Sequence, residues 1–249
     1  DETKIEASIT KDTQAILATH VYGLPCNIEA IEAIAHKHNL KVIYDAAHAF
    51  GCKYNGKSLL EYGDVSTCSF HATKLFHTVE GGAVMARDKG IYDKLYLFRS
   101  FGHSGDDYFS QGINAKNSEF HAAMGLAVFP YLSTIIDDRK RISEEYDFLL
   151  PSFLTKPTAG ATSFTHNYAY YPVLFETEEE LVRVKQALQD AEINARRYFY
   201  PALNTLPHTK SLNSFCPLAE SISKRVLCLP IFPHFNQVEK VMSIIKKAR

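Results

Sequence analysis

The stretch QAILATHVYGLPCNIEAIEAIAHKHNLKVIYDAA, residues 14–47, predicts a strand, a helix and a second strand in succession. The segment 14–23 is apolar and ends in a glycine turn, as a buried strand does. Asn27 is a suitable N-cap for an amphipathic helix over 27–40. A second short apolar strand is predicted over 41–47. This order is typical of a right-handed α/β unit with a largely parallel sheet.

Two more strands are predicted downstream, over 63–72 and 81–86, so the sheet continues past the first unit. The segment 118–150 has a helical pattern that Pro130 should kink or break. We expect this helix to lead out of a first, large domain that spans residues 1–150.

A change of pattern after residue 150 predicts a small α+β domain over 151–249. The loop 151–163 is rich in Pro, Gly and hydroxyl residues, and a strand is predicted over 168–175. Thr177 and Glu180 have the spacing of a capping box, which predicts a helix carrying Leu181, Val184 and Leu188. A further strand is predicted over 194–201, and Asn236 is the expected N-cap of a last helix.

Composition narrows the class of protein. Lys and Arg number 27 against 28 Asp and Glu, so the formal charge of −1 gives no broad attraction to nucleic acid or an anionic membrane. The five cysteines are scattered and form no C-x-x-C pair, which argues against structural zinc and favours free thiols in a reducing cytoplasm. The apolar run at 122–132 contains a proline and is shorter than a bilayer-spanning helix requires.

Candidate functional residues follow the predicted strands, because ligands of open α/β sheets bind beyond the carboxyl ends of the strands. Asp45 comes directly after KVIY (41–44), His48 lies just beyond it, and Ser69 and Lys74 are the two ends of SFHATK (69–74). A lysine in a partly apolar cleft has a lowered pKa and can form a Schiff base. A carboxylate beside it could pair with the pyridinium nitrogen of pyridoxal phosphate.

Each of these residues also has an ordinary structural explanation. A lysine after a strand is usually a solvated loop residue, an aspartate is often a cap, and a lone serine or histidine often only satisfies local hydrogen bonds. VEGG at 79–82 is a weak phosphate loop, since neither a Walker motif nor G-x-G-x-x-G is present. No zinc pattern occurs among the eleven histidines, so we expect no metal site.

In order and spacing, several segments together resemble the sugar aminotransferase family, which uses pyridoxal phosphate to aminate nucleotide-linked ketosugars. The resemblance extends from the first residues to the last. The segments are THVYG (19–23), VIYDAAHAFG (42–51), GDVSTCSFHATK (63–74), EGGAV (80–84), GINAKNSEFHAAMGL (112–126) and ARRYFYPAL (195–203).

The resemblance implies an aspartate aminotransferase-like fold, the type I fold of pyridoxal-phosphate enzymes, and a role for each candidate. Lys74 would bind the cofactor covalently, Asp45 would pair with its ring nitrogen and Ser69 would bind its phosphate. His48 would stand near the ring and its phenolic oxygen. Lys74 favours transamination, because relatives that dehydrate the sugar have a histidine in that place.

A homodimer with shared active sites is also implied. Asn114 falls where the family contributes an asparagine to the cofactor phosphate of the partner. Ala115 and Lys116 depart from the aromatic and arginine that are usual there, so the resemblance does not extend to the contacts of these two residues.

The resemblance further implies the substrates: L-glutamate as amino donor and a nucleotide-linked 4-keto-6-deoxy sugar, dTDP-4-keto-6-deoxyglucose, in the synthesis of a surface polysaccharide such as O-antigen. Arg196, Arg197 and Tyr198 are the expected substrate contacts, since an arginine fork suits a diphosphate or a carboxylate. The alternative for both arginines is a solvated strand position.

Two alternatives stay open. By its motifs the chain begins well inside the family pattern, so a preceding segment with a phosphate-binding helix N-terminus is expected. The chain could then be a non-catalytic remnant that dimerises or binds a nucleotide sugar without turnover. A Schiff-base lyase without cofactor would explain Lys74 but would leave Asp45, Ser69 and Asn114 without a role.

Overall fold

A computed structural model describes residues 1–160, 163–209 and 214–249. The chain forms two compact units, the first of residues 1–133 and 159–167 and the second of residues 134–158 and 168–249. The division falls earlier than the expected boundary at residue 150, near the start of the long helix. Residues 161 and 162 of the predicted loop lie outside the described residues.

The first unit contains most of the strands. In chain order its elements are β1 (Ala15–Thr19), α1 (Ile28–His38), β2 (Lys41–Asp45), β3 (Lys53–Tyr54), β4 (Lys57–Ser58), β5 (Val65–Ser69), β6 (Gly82–Ala86), α2 (Lys89–Arg99), β7 (His103–Ser104), β8 (Asp107–Tyr108) and α3 (Glu119–Val128). The second unit begins within α4 (Leu132–Leu149). Beyond α4, β9 (Phe164–Thr165) belongs to the first unit and pairs with β3.

The main sheet has the strand order β1-β2-β5-β6. The strands β1, β2 and β5 are parallel, and β6 is antiparallel to β5. The predicted α/β class with a mostly parallel sheet is therefore confirmed. The four predicted strands of this sheet are present but shorter than expected. The strands β1, β2 and β5 end before their predicted last residues, whereas β6 begins one residue late and ends at Ala86 as predicted.

Helix α1 begins and ends as its sequence predicts. The Asn27 side chain accepts a hydrogen bond from the N–H of Ala30 at 3.2 Å, and Asn39 ends the helix in the left-handed conformation with φ 52°. Ile28, Ile31 and Ala35 are buried on one face. They pack with Val42 and Tyr44 of β2, which fixes the position of the carboxyl end of that strand.

The helical segment around Pro130 spans Glu119–Leu149, close to the predicted 118–150. Residues Phe129–Tyr131 form a 3-10 turn that accommodates Pro130 and connects α3 to α4 without a break. By length and composition alone, Glu119–Leu149 could cross a membrane, with a mean hydropathy of 1.2 in its most apolar window. Only 6% of that window is buried, and Gly125 is the one buried residue among the described residues of α3, whereas Ile142 and Tyr146, farther along in α4, are fully buried.

The second unit has its own core. Its remaining elements are β10 (Tyr171–Leu174), α5 (Glu178–Asp190), α6 (Pro217–Arg225), β11 (Val226–Leu229) and α7 (Val238–Ala248), and β10 pairs antiparallel with β11. The predicted stripe of Leu181, Val184 and Leu188 on α5 is fully buried. A small α+β unit is what the sequence predicted for this region.

Three local predictions in the second unit need correction. The segment 194–201 is not a strand: Arg196 makes a single bridge to Cys228, and the chain then turns at Tyr198. Asn236 is not a cap, because α7 begins one residue later after Gln237. At α5, the Thr177 hydroxyl accepts from the N–H of Glu180 as expected of a capping box. The Glu180 carboxylate, which a capping box directs to the N–H of Thr177, accepts from the N–H of Glu176.

Candidate active site

Three parallel strands of the main sheet end at one edge. Asp45 is the last residue of β2 and Ser69 the last of β5, and the N–H of Ala46 donates to the Thr67 carbonyl at 2.9 Å, continuing the ladder beyond β2. Because parallel strands present their carboxyl ends together, the predicted residues that follow them are brought to the same edge.

Lys74 lies in a turn that packing holds in place. Its N–H donates to the His71 carbonyl at 2.9 Å, and the next two residues, Leu75 and Phe76, are buried. The Phe76 ring stacks on Phe50, with 4.7 Å between ring centroids. The loop therefore has apolar anchors immediately after the lysine, which hold the backbone at Lys74 in place.

Burial lowers the pKa of the Lys74 amine, while Asp45 and the Cys68 thiol oppose that shift. A lowered pKa gives Lys74 more neutral amine near pH 7 than a surface lysine has, and the neutral amine is the nucleophilic form. Asp45 is positioned by its own turn, since its Oδ1 accepts from the N–H of Ala47 at 3.0 Å.

His48 is buried beside this pair. Its Nδ1 accepts a hydrogen bond from the N–H of Tyr22 at 3.0 Å. Burial, and secondly the charge of Lys74, lower the pKa of His48 to about 4, against the opposing influence of Asp45. The structure therefore brings Asp45, His48 and Lys74 within electrostatic reach of one another.

Ser69 stands at the start of the loop that carries Lys74. Its Oγ accepts from the N–H of His71 at 3.4 Å, and its backbone pairs with Gly82 of β6. A Cβ on Gly81 would lie 2.3 Å from Thr78 Oγ1, so that position requires glycine. Ser69 is thus half-buried at the end of β5, where this tight loop begins.

Asn114 lies in the same unit but in an exposed segment. It forms a bridge with Ser100, and the N–H of Ala115 donates to the Arg99 carbonyl at 2.9 Å. The segment is held against the end of α2. This exposed position leaves the asparagine accessible to another molecule.

Arg196, Arg197 and Tyr198 lie in the second unit and differ in their surroundings. Arg197 is engaged within its own unit: it pairs with Glu178 at 2.6 Å and donates to the Lys224 carbonyl at 2.9 Å. Arg196 instead lies over the Tyr198 ring, 4.5 Å from its centroid. Among the described residues, no carboxylate lies within salt-bridge distance of Arg196.

Two residues that contact His48 were not predicted from the sequence. Asn167 is 1% exposed, and its side-chain amide donates to the carbonyls of His48 at 2.8 Å and Phe50 at 2.9 Å. Tyr22 supplies the N–H that binds His48. Neither has a local signal, because both act on residues distant in the chain.

Residues 1–248 match a model of the DegT/DnrJ/EryC1/StrS aminotransferase family. The chain belongs to this family. Its fold is the expected one of the pyridoxal-phosphate aminotransferases, and the resemblance stated from the sequence is confirmed.

Relatives of the family match nearly the whole chain. A dTDP-4-amino-4,6-dideoxy-D-glucose transaminase of Shigella dysenteriae is 37% identical, covering 99% of this chain and 69% of the relative. A transaminase of the same name from Escherichia coli is 36% identical, covering 99% and 68%. Helicobacter pylori PseC, an aminotransferase involved in the biosynthesis of pseudoaminic acid, has a TM-score of 0.90 at 26% identity, covering 100% of this chain and 70% of that structure.

DegT/DnrJ/EryC1/StrS aminotransferases depend on pyridoxal phosphate, and the residues at the sheet edge fit that cofactor. They offer an amine of lowered pKa at Lys74, a carboxylate within its electrostatic reach at Asp45 and a buried neutral imidazole at His48. This set matches an aldehyde, a pyridine nitrogen and a phenolic oxygen in chemical type. As a member of this family, the chain is a pyridoxal-phosphate-dependent sugar aminotransferase.

Proposed function

We propose that the chain aminates dTDP-4-keto-6-deoxyglucose at C4, with L-glutamate as the amino donor. The similarity to two transaminases named for the 4-amino-4,6-dideoxyglucose product supports this choice of sugar. The observation that carries the proposal is the half-buried Lys74 amine, whose pKa is lowered within electrostatic reach of Asp45.

Pyridoxal phosphate, when bound, acts as an electron sink for the carbon that loses or gains a proton. Lys74 would hold the cofactor, and its Nζ, once released, would carry the proton between the donor and the cofactor. Asp45 would keep the ring nitrogen protonated. Ser69 would donate its hydroxyl to the phosphate, and His48 would stand at the phenolic oxygen.

The substrate contacts are proposed from the contrast between the two arginines. Arg197 already has a carboxylate partner in Glu178, whereas Arg196 lies over Tyr198 without one among the described residues. We therefore assign the carboxylate of glutamate or the diphosphate of the sugar nucleotide to Arg196, with Tyr198 beside it. Arg197 would then act on this site through the chain segment that it holds.

A homodimer with shared active sites is part of the proposal. Asn114 is exposed, and large apolar side chains nearby in sequence are exposed as well, with Phe120 at 90% and Leu126 at 76%. Apolar residues on a helix of this length favour burial against another chain. Asn114 would bind the cofactor phosphate of the partner.

We place the enzyme in the cytoplasm, where it would supply an amino sugar for a surface polysaccharide such as O-antigen. All five cysteines are free thiols, as a reducing compartment requires. The product would enter such a glycan through a glycosyltransferase that accepts the nucleotide-linked amino sugar.

The test is an amination assay with pyridoxal phosphate, glutamate and dTDP-4-keto-6-deoxyglucose, read by mass spectrometry of the nucleotide sugar. Product should form with the wild-type chain and with Lys94→Ala, an exposed lysine of α2 that serves as the matched control. Lys74→Ala should lose turnover by at least about 10²-fold. Binding of the nucleotide sugar without any product would favour the non-catalytic alternative.

A further inference from the structure

The backbone turn after β1 delivers a hydrogen-bond donor to His48. Tyr22 has φ 58° and Gly23 has φ 81°, both in the left-handed region, and the N–H of Gly23 donates to the His20 carbonyl at 3.0 Å. In this turn the Tyr22 N–H lies 3.0 Å from Nδ1 of His48. An N–H can only donate, so Nδ1 must accept, and the proton of a neutral imidazole is then on Nε2.

Asn167 holds the other side of the same histidine. Its amide nitrogen donates to the carbonyls of His48 and Phe50, which closes the turn after β2. The packing is tight, because a Cβ on Gly23 would lie 2.8 Å from the His48 carbonyl oxygen and 3.3 Å from Asn167 Oδ1. The His48 backbone and ring are therefore fixed by two contacts from distant parts of the chain.

The charges around His48 favour its neutral form. Burial disfavours the imidazolium and the Lys74 amine repels a second positive charge, whereas Asp45 acts in the opposite direction. A second titratable ring, that of His166, packs against this turn, with its Nε2 3.2 Å from the Tyr22 carbonyl oxygen. With a pKa near 4, His48 carries no proton on Nδ1 at neutral pH.

We propose that Tyr22 and Asn167 are positioning residues that lock His48 as a neutral imidazole with its proton on Nε2. His48 then serves as a fixed hydrogen-bond donor and not as a proton acceptor. Its use toward the phenolic oxygen of the cofactor rests on the proposed function, but the locked tautomer does not. The consequence for transamination is that His48 does not accept the transferred proton, a role that the proposed function gives to Lys74.

The test is two-bond ¹H–¹⁵N correlation spectroscopy of the full chain labelled with ¹⁵N-histidine, without cofactor. His48→Asn identifies the His48 signals among those of the eleven histidines. We expect a single tautomer with the proton on Nε2, unchanged between pH 6 and pH 9. A proton on Nδ1, or an imidazolium at pH 7, would overturn the proposal whatever the chain catalyses.

Variants separate positioning from general stability. Asn167→Ala should give a mixture of tautomers or protonation of His48 between pH 5 and pH 7, and Asn167→Asp should act in the same direction. Asn27→Ala removes a capping amide of the same unit that does not contact His48, and should leave the His48 signals unchanged. Wild-type His48 signals in a folded Asn167→Ala variant would reject the role of Asn167. If that variant does not fold, the wild-type spectrum alone still decides the tautomer.

Discussion

The N–H of Tyr22 and Nδ1 of His48 lie 3.0 Å apart, although 26 positions separate the two residues in the chain. The contact joins the turn after β1 to the turn after β2, and these strands are parallel neighbours in the sheet. The candidate site thus lies at the turns beyond the carboxyl ends of adjacent strands. Lys74, after the third parallel strand, completes the arrangement.

Burial lowers the pKa of Lys74 and Asp45 raises it, and this balance predicts how the reaction of Lys74 with pyridoxal phosphate depends on pH. Because the pKa of Lys74 is lowered, the rate at which it forms an adduct with pyridoxal phosphate should rise with pH at values below those of an ordinary lysine, whose pKa is about 10.4. Asp45→Asn removes a charge that raises the pKa of Lys74, so the midpoint should move further down. The rate is measured by stopped-flow absorbance.

The matched control for this shift is Asp93→Asn on α2, which removes an exposed carboxylate paired with Lys89. It should leave the midpoint where the wild type has it. An upward shift in Asp45→Asn, or an equal shift in both variants, would mean that Asp45 does not act on Lys74.

Shared active sites predict complementation between two inactive variants. Lys74→Ala and Asn114→Ala homodimers should each have little activity. In a random mixture of the two chains, half of the dimers are hybrids with one intact site, so about a quarter of wild-type activity should return. Amination is measured after the subunits are dissociated and reassembled together. A mixture no more active than its parents would place both residues in one chain's own site.

Substitution of Arg196 should affect substrate binding, whereas substitution of Arg197 should affect stability. Arg196→Ala should raise the KM for glutamate or the sugar nucleotide about 10-fold to 100-fold, since it removes a charged hydrogen bond, and should leave stability unchanged. Arg197→Ala breaks the pair with Glu178 and should lower the free energy of unfolding by about 1–3 kcal/mol. Urea titration and steady-state kinetics measure the two quantities. The reverse assignment of effects would show that Arg197 binds the substrate.

The loop after Lys74 contains a strained residue. Val79 has φ 66°, which is unfavourable for a β-branched side chain, and it is exposed. Val79→Gly should raise the free energy of unfolding by about 1 kcal/mol. Val84→Gly is the control, because Val84 is a similarly exposed valine in β6, where glycine should destabilise. Destabilisation by both substitutions would show that Val79 is not strained.

The parts of the fold that depend on local signals were predictable from the sequence. The caps at Asn27 and Thr177 are short-range hydrogen bonds, and the buried stripe on α5 follows from its 3.6-residue period. The strand predicted over 194–201 is absent because an apolar, aromatic run does not require a ladder partner along its length. Arg196 forms a single bridge, to Cys228.

The site was predictable only where the topology alone places a residue. Asp45 ends one parallel strand and Lys74 follows the next, so the rule for parallel sheets brings them to one edge. Asn167 could not be found, since its contact with His48 spans 119 positions and needs the return of residues 159–167 to the first unit. The left-handed conformation of Val79 is also invisible in the sequence, because nothing marks a valine for that region.

Reduction of the chain with borohydride after adding pyridoxal phosphate, with mapping of the labelled peptide, tests the role of Lys74 directly. We expect one modified residue, Lys74, at about one cofactor per chain, because this lysine combines a lowered pKa with a nearby carboxylate. Label spread over surface lysines, or label on Lys74 no greater than on Lys94, would contradict that role.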